Sequence, residues 1–172
     1  LGIVITPLIA LYPMAKRFFI LPQFILALTY NWGCFIGWAA LGSNIPFSSI
    51  CILYTSLIFW TLTYDTIYAT QDENEDKDLN LYSSTLLFGS KKLIILNIMI
   101  ITKYFLIIFY GTSLDFGILF KILIITIFII NLIDINFIWK NKPEKASSYF
   151  SRNNYYGISL LFSIIMGSHF NV

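Results

Sequence analysis

Residues 64–84, YDTIYATQDENEDKDLNLYSS, place Asp65, Asp72, Glu73, Glu75, Asp76 and Asp78 within fourteen positions, six of the nine carboxylates in the chain. If the apolar segment before them continues as a helix past Ala69, then Asp65, Tyr68, Asp72 and Asp76 recur at i, i+3, i+7 and i+11 and share one face. Carboxylates stacked a turn apart repel each other, and a divalent cation between them relieves the repulsion. With oxygen ligands alone, and no His or Cys nearby, a hard ion such as Mg²⁺ suits the cluster better than zinc. A charge run in a loop is ordinarily just solvated. Asp65 argues against that, because it sits inside an apolar run between FWTLTY and TIYA, and an ionisable residue at membrane depth is a functional candidate.

A second group carries the opposite charge. In YPMAK, Tyr12 and Lys16 stand at i and i+4, with Arg17 adjacent. Carboxylates, Mg²⁺ and fixed cations at one pocket suit a diphosphate: the metal bridges acid and phosphate while Lys and Arg hold the remaining oxygens. Anchoring of membrane topology is the competing role for Lys16 and Arg17.

The elements that carry these groups must be helices in a bilayer. The chain is 58% hydrophobic and 12% charged, with a mean hydropathy of +0.76, about half the charge of a soluble domain. Its apolar stretches lack barrel-like alternation and suit spans of about 20 residues. The expected fold class is therefore all-α, a polytopic transmembrane helix bundle, forming a single domain over 1–172. Six spans are predicted, over 1–12, 20–41, 47–69, 92–111, 116–139 and 154–170. The first, LGIVITPLIALYP, reads as the tail of a truncated span rather than a signal peptide, lacking a basic leader and a cleavage pattern.

Nine of the eleven basic residues fall in alternate loops, around 16–17, 77–92 and 140–152, and none in the opposite ones. The excess of Lys and Arg in cytoplasmic loops puts the acidic loop, 70–91, and the KR loop on the same cytoplasmic face. Lys103 and Lys121 lie within predicted spans, facing the bundle interior or snorkelling outward. Gly33 and Gly37 form a GxxxG spacing that predicts close helix packing. Gln23 and Asn31 need partners across the bundle or a wet cavity, and for Asn31 a substrate cavity and a plain interhelical bond are equally open. Cys34 and Cys51 read as small buried apolar residues, without disulfide or metal. A net charge of +2, with no basic aromatic cluster, argues against nucleic acid as a partner.

Four stretches, YPMAKRFFILPQFILALTYNWGCFIGWAA, YDTIYATQDENED, SSTLLFG and NNYYGISLLFSIIMG, together resemble the 4-hydroxybenzoate polyprenyltransferases of the UbiA superfamily, matching their carboxy-terminal two thirds. The resemblance implies a nine-helix bundle, of which six spans are present. Its aspartate-rich motifs flank a cytoplasmic mouth, and Asp72 and Asp76 match the second as metal ligands. Tyr12 and Lys16 match its Tyr-x-x-x-Lys element. Taking the residue pattern and the resemblance together, Asp65, Asp72, Asp76 and Lys16 are the catalytic candidates, and Tyr12, Arg17, Asn31 and Tyr68 the substrate-binding ones. The implied reaction is Mg²⁺-dependent transfer of a polyprenyl group from polyprenyl diphosphate to 4-hydroxybenzoate, a step of ubiquinone synthesis in a bacterial or mitochondrial inner membrane.

The resemblance also expects a first aspartate motif and three helices upstream of residue 1. Asp78 and Tyr82 stand where lysines are expected, and Ala27 where glycine is. An inactive truncated remnant and a cation-coupled transporter are the alternative readings. Lys103 and the segment Asp134 to Asn136 have no counterpart in the resemblance and are expected to make interhelical polar contacts. His169 is expected at an exposed terminus.

Overall fold

The computed structural model describes residues 1–42, 44–140 and 142–169, and every described element in it is helical. Residues 43, 141 and 170, on which parts of the predicted GSNIP turn, polar loop and last span fall, lie outside the described residues. Helix α1 (Gly2–Leu11) leads through a 3₁₀ turn into α2 (Ala15–Phe18), α3 (Pro22–Asn31) and α4 (Gly33–Ala40). Then follow α5 (Phe47–Tyr68), α6 (Glu73–Asp78), α7 (Ser84–Phe88), α8 (Lys92–Ser113), α9 (Ile118–Ile133) and α10 (Ala146–His169).

Local chemistry sets these limits. Pro22 opens α3 at its first turn, where its missing N–H costs nothing, and Pro46 precedes α5 in the same way. Ser83 caps α7 by accepting from the Thr85 amide, and Gly89, at φ +49°, ends it. Past Ile133 the helix widens into a π-turn over Asp134–Trp139, closed by Lys140 in the left-handed region.

Three helices are long and apolar enough to cross a membrane: Phe47–Tyr68, Ser84–Ser113 and Ile118–Trp139. The other predicted spans come out differently for identifiable reasons. The second divides at Trp32 into α3 and α4, where the Trp32 amide bonds back to Thr29 in a tightened turn. The last helix starts at Ala146 rather than 154, so its first turns take in the polar run SSYFSRNN. The acidic segment 70–91 is not a plain loop but carries α6 and α7.

Helices α5, α8, α9 and α10 pack in a closed set, each against the next, with α3 and α4 laid on the outside of α5. The apolar core runs through their contacts, from Ile58 and Leu62 on α5 to Leu96, Ile100 and Ile107 on α8 and Ile124 on α9. The GxxxG expectation is corrected here. Among the described residues nothing approaches within 4 Å of a Cβ built on Gly33 or Gly37. The close-packed glycines are Gly111 and Gly167, which face the rings of Phe120 and Phe116. A methyl group on Gly111 would fall on the fully buried Phe120 ring, with two of its atoms at 2.7 and 2.8 Å. Gly111→Ala is therefore expected to destabilise the full-length protein by about 1–3 kcal/mol through overpacking, read as a lower midpoint of thermal unfolding in detergent. An unchanged midpoint would show that the ring has room to move.

Candidate active site

The third predicted span does not continue as a helix past Ala69. Single-turn bonds from Thr70 to Ile67, Gln71 to Tyr68 and Asp72 to Ala69 close it off, and α6 starts afresh at Glu73. The expected single face of Asp65, Tyr68, Asp72 and Asp76 is thus broken, and the turn deals the carboxylates into two different roles.

Asp65, Tyr68 and Asp72 line a cavity of about 260 Å³ together with Tyr12, Lys16 and Gln23. Among the described residues neither the Asp65 nor the Asp72 carboxylate makes a hydrogen bond or ion pair, and Asp72 occupies the N-cap position of α6 without spending its carboxylate on a cap. Asp76 is different. Its carboxylate is buried, and both oxygens accept from Lys16 Nζ, at 2.8 and 3.1 Å. The Lys16 side chain is 40% exposed against 4% for Asp76, so the lysine can serve the cavity while anchored from behind. Two further bonds fasten the α2–α3 junction to the acidic segment: the Tyr82 amide donates to the Lys16 carbonyl at 2.8 Å, and the Ser84 amide to Gln23 Oε1 at 3.0 Å. Lys92 at the head of α8 pairs with Glu73 and holds α6 from the other side.

Arg17 does not line this cavity. It borders a separate one of about 500 Å³, with Pro13, Lys16 and Leu79 to Leu81.

A larger cavity, about 670 Å³, lies between α3, α5 and α10. Tyr30, Asn31, Trp60, Tyr64, Phe150 and Asn153 form much of its wall, and no charged residue lines it. Asn31 makes the interhelical bonds, its Nδ2 donating to Thr61 Oγ1 at 2.8 Å and to the Leu57 carbonyl at 3.2 Å, and it also lines the cavity. The two cavities meet at an aromatic partition. The ring of Phe150 stands 5.0 Å from Tyr68, a wall of the acidic cavity, and 5.5 Å from Tyr64, a wall of the larger one.

Between α5, α8, α9 and α10 lies a polar centre. Lys103 Nζ donates to Asn131 Oδ1 at 3.1 Å and lies 5.1 Å from the Trp60 ring centroid and 4.2 Å from that of Tyr104. Asn131 Nδ2 donates to the Tyr149 hydroxyl at 2.9 Å. One turn on, Asp134 accepts from Arg152 and from the Tyr156 hydroxyl, and Asn136 exchanges hydrogen bonds with Asn97. These are the interhelical contacts expected for Lys103 and for Asp134 to Asn136. His169 is exposed, and Cys34 and Cys51 are half-buried free thiols.

The residues that sequence reasoning passed over are Trp60, Tyr64, Phe150 and Asn153. None belongs to a charged pattern. Only the polar pair at 153–154 ahead of Gly157, in a helix otherwise apolar on its later turns, hinted at a lined cavity.

A helical membrane protein with a carboxylate and lysine mouth above an uncharged aromatic cavity is the class that fold and site define. The chain belongs to the UbiA prenyltransferase family, whose profile matches residues 1–161. It is 42% identical over 92 residues to a mitochondrial 4-hydroxybenzoate polyprenyltransferase of Dictyostelium discoideum, covering 54% of this chain and 20% of that protein. A Caenorhabditis elegans protein of the same description is 46% identical over 79 residues, 46% of this chain and 22% of its own length. A 4-hydroxybenzoate octaprenyltransferase of Francisella tularensis subsp. novicida is 39% identical over 107 residues, 62% of this chain and 37% of its own. The matched segments thus span between 20% and 37% of these relatives. No solved structure matches the chain.

Proposed function

We propose that the full-length protein transfers a polyprenyl group from its diphosphate to the ring of 4-hydroxybenzoate, within ubiquinone synthesis in a bacterial or mitochondrial inner membrane. The observation that carries this reading is the adjacency of the two cavities. One holds Asp65, Asp72 and Lys16, the other is uncharged and aromatic, and Phe150 touches walls of both. The names of the matched relatives support the same substrates.

The donor set of the smaller cavity fits a Mg²⁺ ion shared with substrate. Among the described residues no three His, Cys, Asp or Glu side chains converge as a complete metal cage, but Mg²⁺ is commonly held by one or two carboxylates plus substrate phosphates. Of the two expected metal ligands, Asp76 has both oxygens taken by Lys16, so Asp72, which shares the cavity with Asp65, would hold it there. When bound, Mg²⁺ neutralises the diphosphate and favours its departure.

The chain's own residues do the rest. Lys16, fixed by Asp76, places an ammonium against the diphosphate oxygens, where charge grows as the C–O bond of the allylic ester breaks. Tyr12 and Tyr68 bound the same space. The larger cavity keeps water away from the allylic cation, whose charge aromatic faces stabilise. Ring attack forms the new C–C bond, and the displaced ring proton leaves with solvent or diphosphate. On this reading the acidic segment faces the cytoplasm or matrix, where a soluble diphosphate product departs.

The test is transfer from polyprenyl diphosphate to radiolabelled 4-hydroxybenzoate by the full-length protein in membranes, with and without Mg²⁺. Product is expected only with the metal. Absence of product, with all three components present and the protein correctly inserted, would sink the reading.

A further inference from the structure

The larger cavity is deep along the two helices that flank it. Its walls run from Tyr64 and Phe150, at the partition with the acidic cavity, down to Leu57 on α5 and Leu161 on α10. At 1.5 Å per helical residue, Gly157 lies about 10 Å beyond Phe150 along α10, and Leu161 about 16 Å beyond it. At the depth of Gly157 the opposing wall is Trp60, and its indole is fixed. Trp60 Nε1 donates at 3.1 Å to Oδ1 of Asn153, one turn ahead of Gly157, and Lys103 Nζ stands 5.1 Å from the ring centroid.

Gly157 itself lines the cavity and is half-buried, so a ligand can touch it. A Cβ built there would lie 3.7 Å from Trp60 Cη2 and 3.9 Å from Cζ2, ordinary van der Waals contact. Packing thus admits an alanine at 157, unlike at Gly111 and Gly167, where a ring would overlap the new methyl. A longer side chain finds the indole in its way and must extend into the cavity. Glycine is a poorer helix former than alanine, so its benefit at this position lies in the space it leaves.

We propose that Gly157, backed by the fixed indole of Trp60, determines which prenyl chains the protein accepts, by keeping the cavity open at the depth that separates short donors from long ones. That the occupant is a prenyl donor rests on the reaction given above. With its diphosphate at Lys16, a dimethylallyl group stops short of Gly157, whereas a farnesyl or octaprenyl chain runs past it. The wall it passes is uncharged, so the hydrocarbon displaces no hydrated ion.

The test uses the full-length protein in lipid nanodiscs, with donor affinity read by calorimetric titration so that binding is seen apart from turnover. Gly157→Leu is expected to weaken binding of farnesyl and octaprenyl diphosphate about tenfold or more, because one surplus methylene in a hydrophobic pocket already costs about that much. Dimethylallyl diphosphate should bind as it does to the wild type. Gly157→Ala, whose methyl group meets only contact distances, should match the wild type with all three donors. A smaller probe keeps the question open to test where leucine prevents insertion: Gly157→Cys, with every native cysteine replaced, Cys34 and Cys51 among them. Farnesyl diphosphate should shield its thiol from a methanethiosulfonate reagent, and dimethylallyl diphosphate should not.

An equal loss for all three donors in Gly157→Leu, no loss for any of them, or labelling of Gly157→Cys that farnesyl diphosphate does not slow, overturns the assignment. So does a wild type that binds none of the three. A wild type that shows the selective loss for long donors, yet never prenylates 4-hydroxybenzoate, upholds the role of Gly157 and removes the proposed acceptor instead.

Discussion

Asp72→Ala in the full-length protein is expected to lower Mg²⁺-dependent prenyl transfer by about a thousandfold or more, while the protein still inserts and purifies as the wild type does. The size follows from the several kcal/mol of charge stabilisation that a catalytic metal supplies, at 1.36 kcal/mol for each factor of ten. Asp72 lines the acidic cavity with its carboxylate uncommitted, so removing it costs no internal bond. Asp76 makes a sharper comparison. Its two oxygens hold Lys16, so Asp76→Ala acts through the lysine. Asp76→Ala and Lys16→Ala are each expected to cost about a hundredfold or more, the scale of losing one preorganised donor, and the double variant little beyond the larger single loss. Full additivity would mean that Asp76 meets the metal independently of Lys16. Wild-type turnover in Asp72→Ala would remove the proposed role of the cavity altogether.

Arg152→Met is expected to destabilise the folded protein by about 3–5 kcal/mol, the cost of stranding a buried charge by deleting its partner. The geometry decides which half of the pair matters more. Asp134 is 4% exposed and Arg152 30% exposed, so the carboxylate depends on the guanidinium while the guanidinium keeps partial contact with solvent. Arg152 donates to both Asp134 oxygens, and after its loss, among the described residues, only the Tyr156 hydroxyl remains at the carboxylate. Asp134→Asn, which keeps the shape and strands no buried charge, should cost clearly less. Thermal unfolding of the two variants in detergent ranks them, and the reverse order would show that Asp134 is relieved in another way. The pair also locks the π-turn after α9 onto α10, the helix that carries Phe150 and Asn153 into the larger cavity.

Much of this protein was legible in the sequence because bilayer burial is written residue by residue. Long apolar runs dictate helices wherever backbone groups cannot reach water, and the charge census assigned the basic loops to one end. The acidic cluster and the Tyr-x-x-x-Lys element were visible because charge is rare in such a chain, and the structure places Tyr12, Lys16, Asp65, Tyr68 and Asp72 around one cavity. Gln23 and Asn31 found the partners that their burial demanded.

The tertiary structure alone decided how those groups divide their labour. Helical periodicity put four residues on one face, but a turn at 69–72 interrupts it, and no local signal says whether a helix continues into a charged run. Lys16 selects Asp76 from a crowd of carboxylates because two segments sixty residues apart are pinned together by a main-chain bond, Tyr82 to Lys16, and by the Ser84 amide on Gln23. A GxxxG spacing shows that a close approach is permitted, not that a partner makes it; the rings that come close belong to Phe116 and Phe120 and meet other glycines. The Trp60 and Asn153 pairing was beyond reach for the same reason. Composition and spacing record what each residue can do, whereas a hydrogen bond between helices depends on how they rotate against each other, which only the packed core determines.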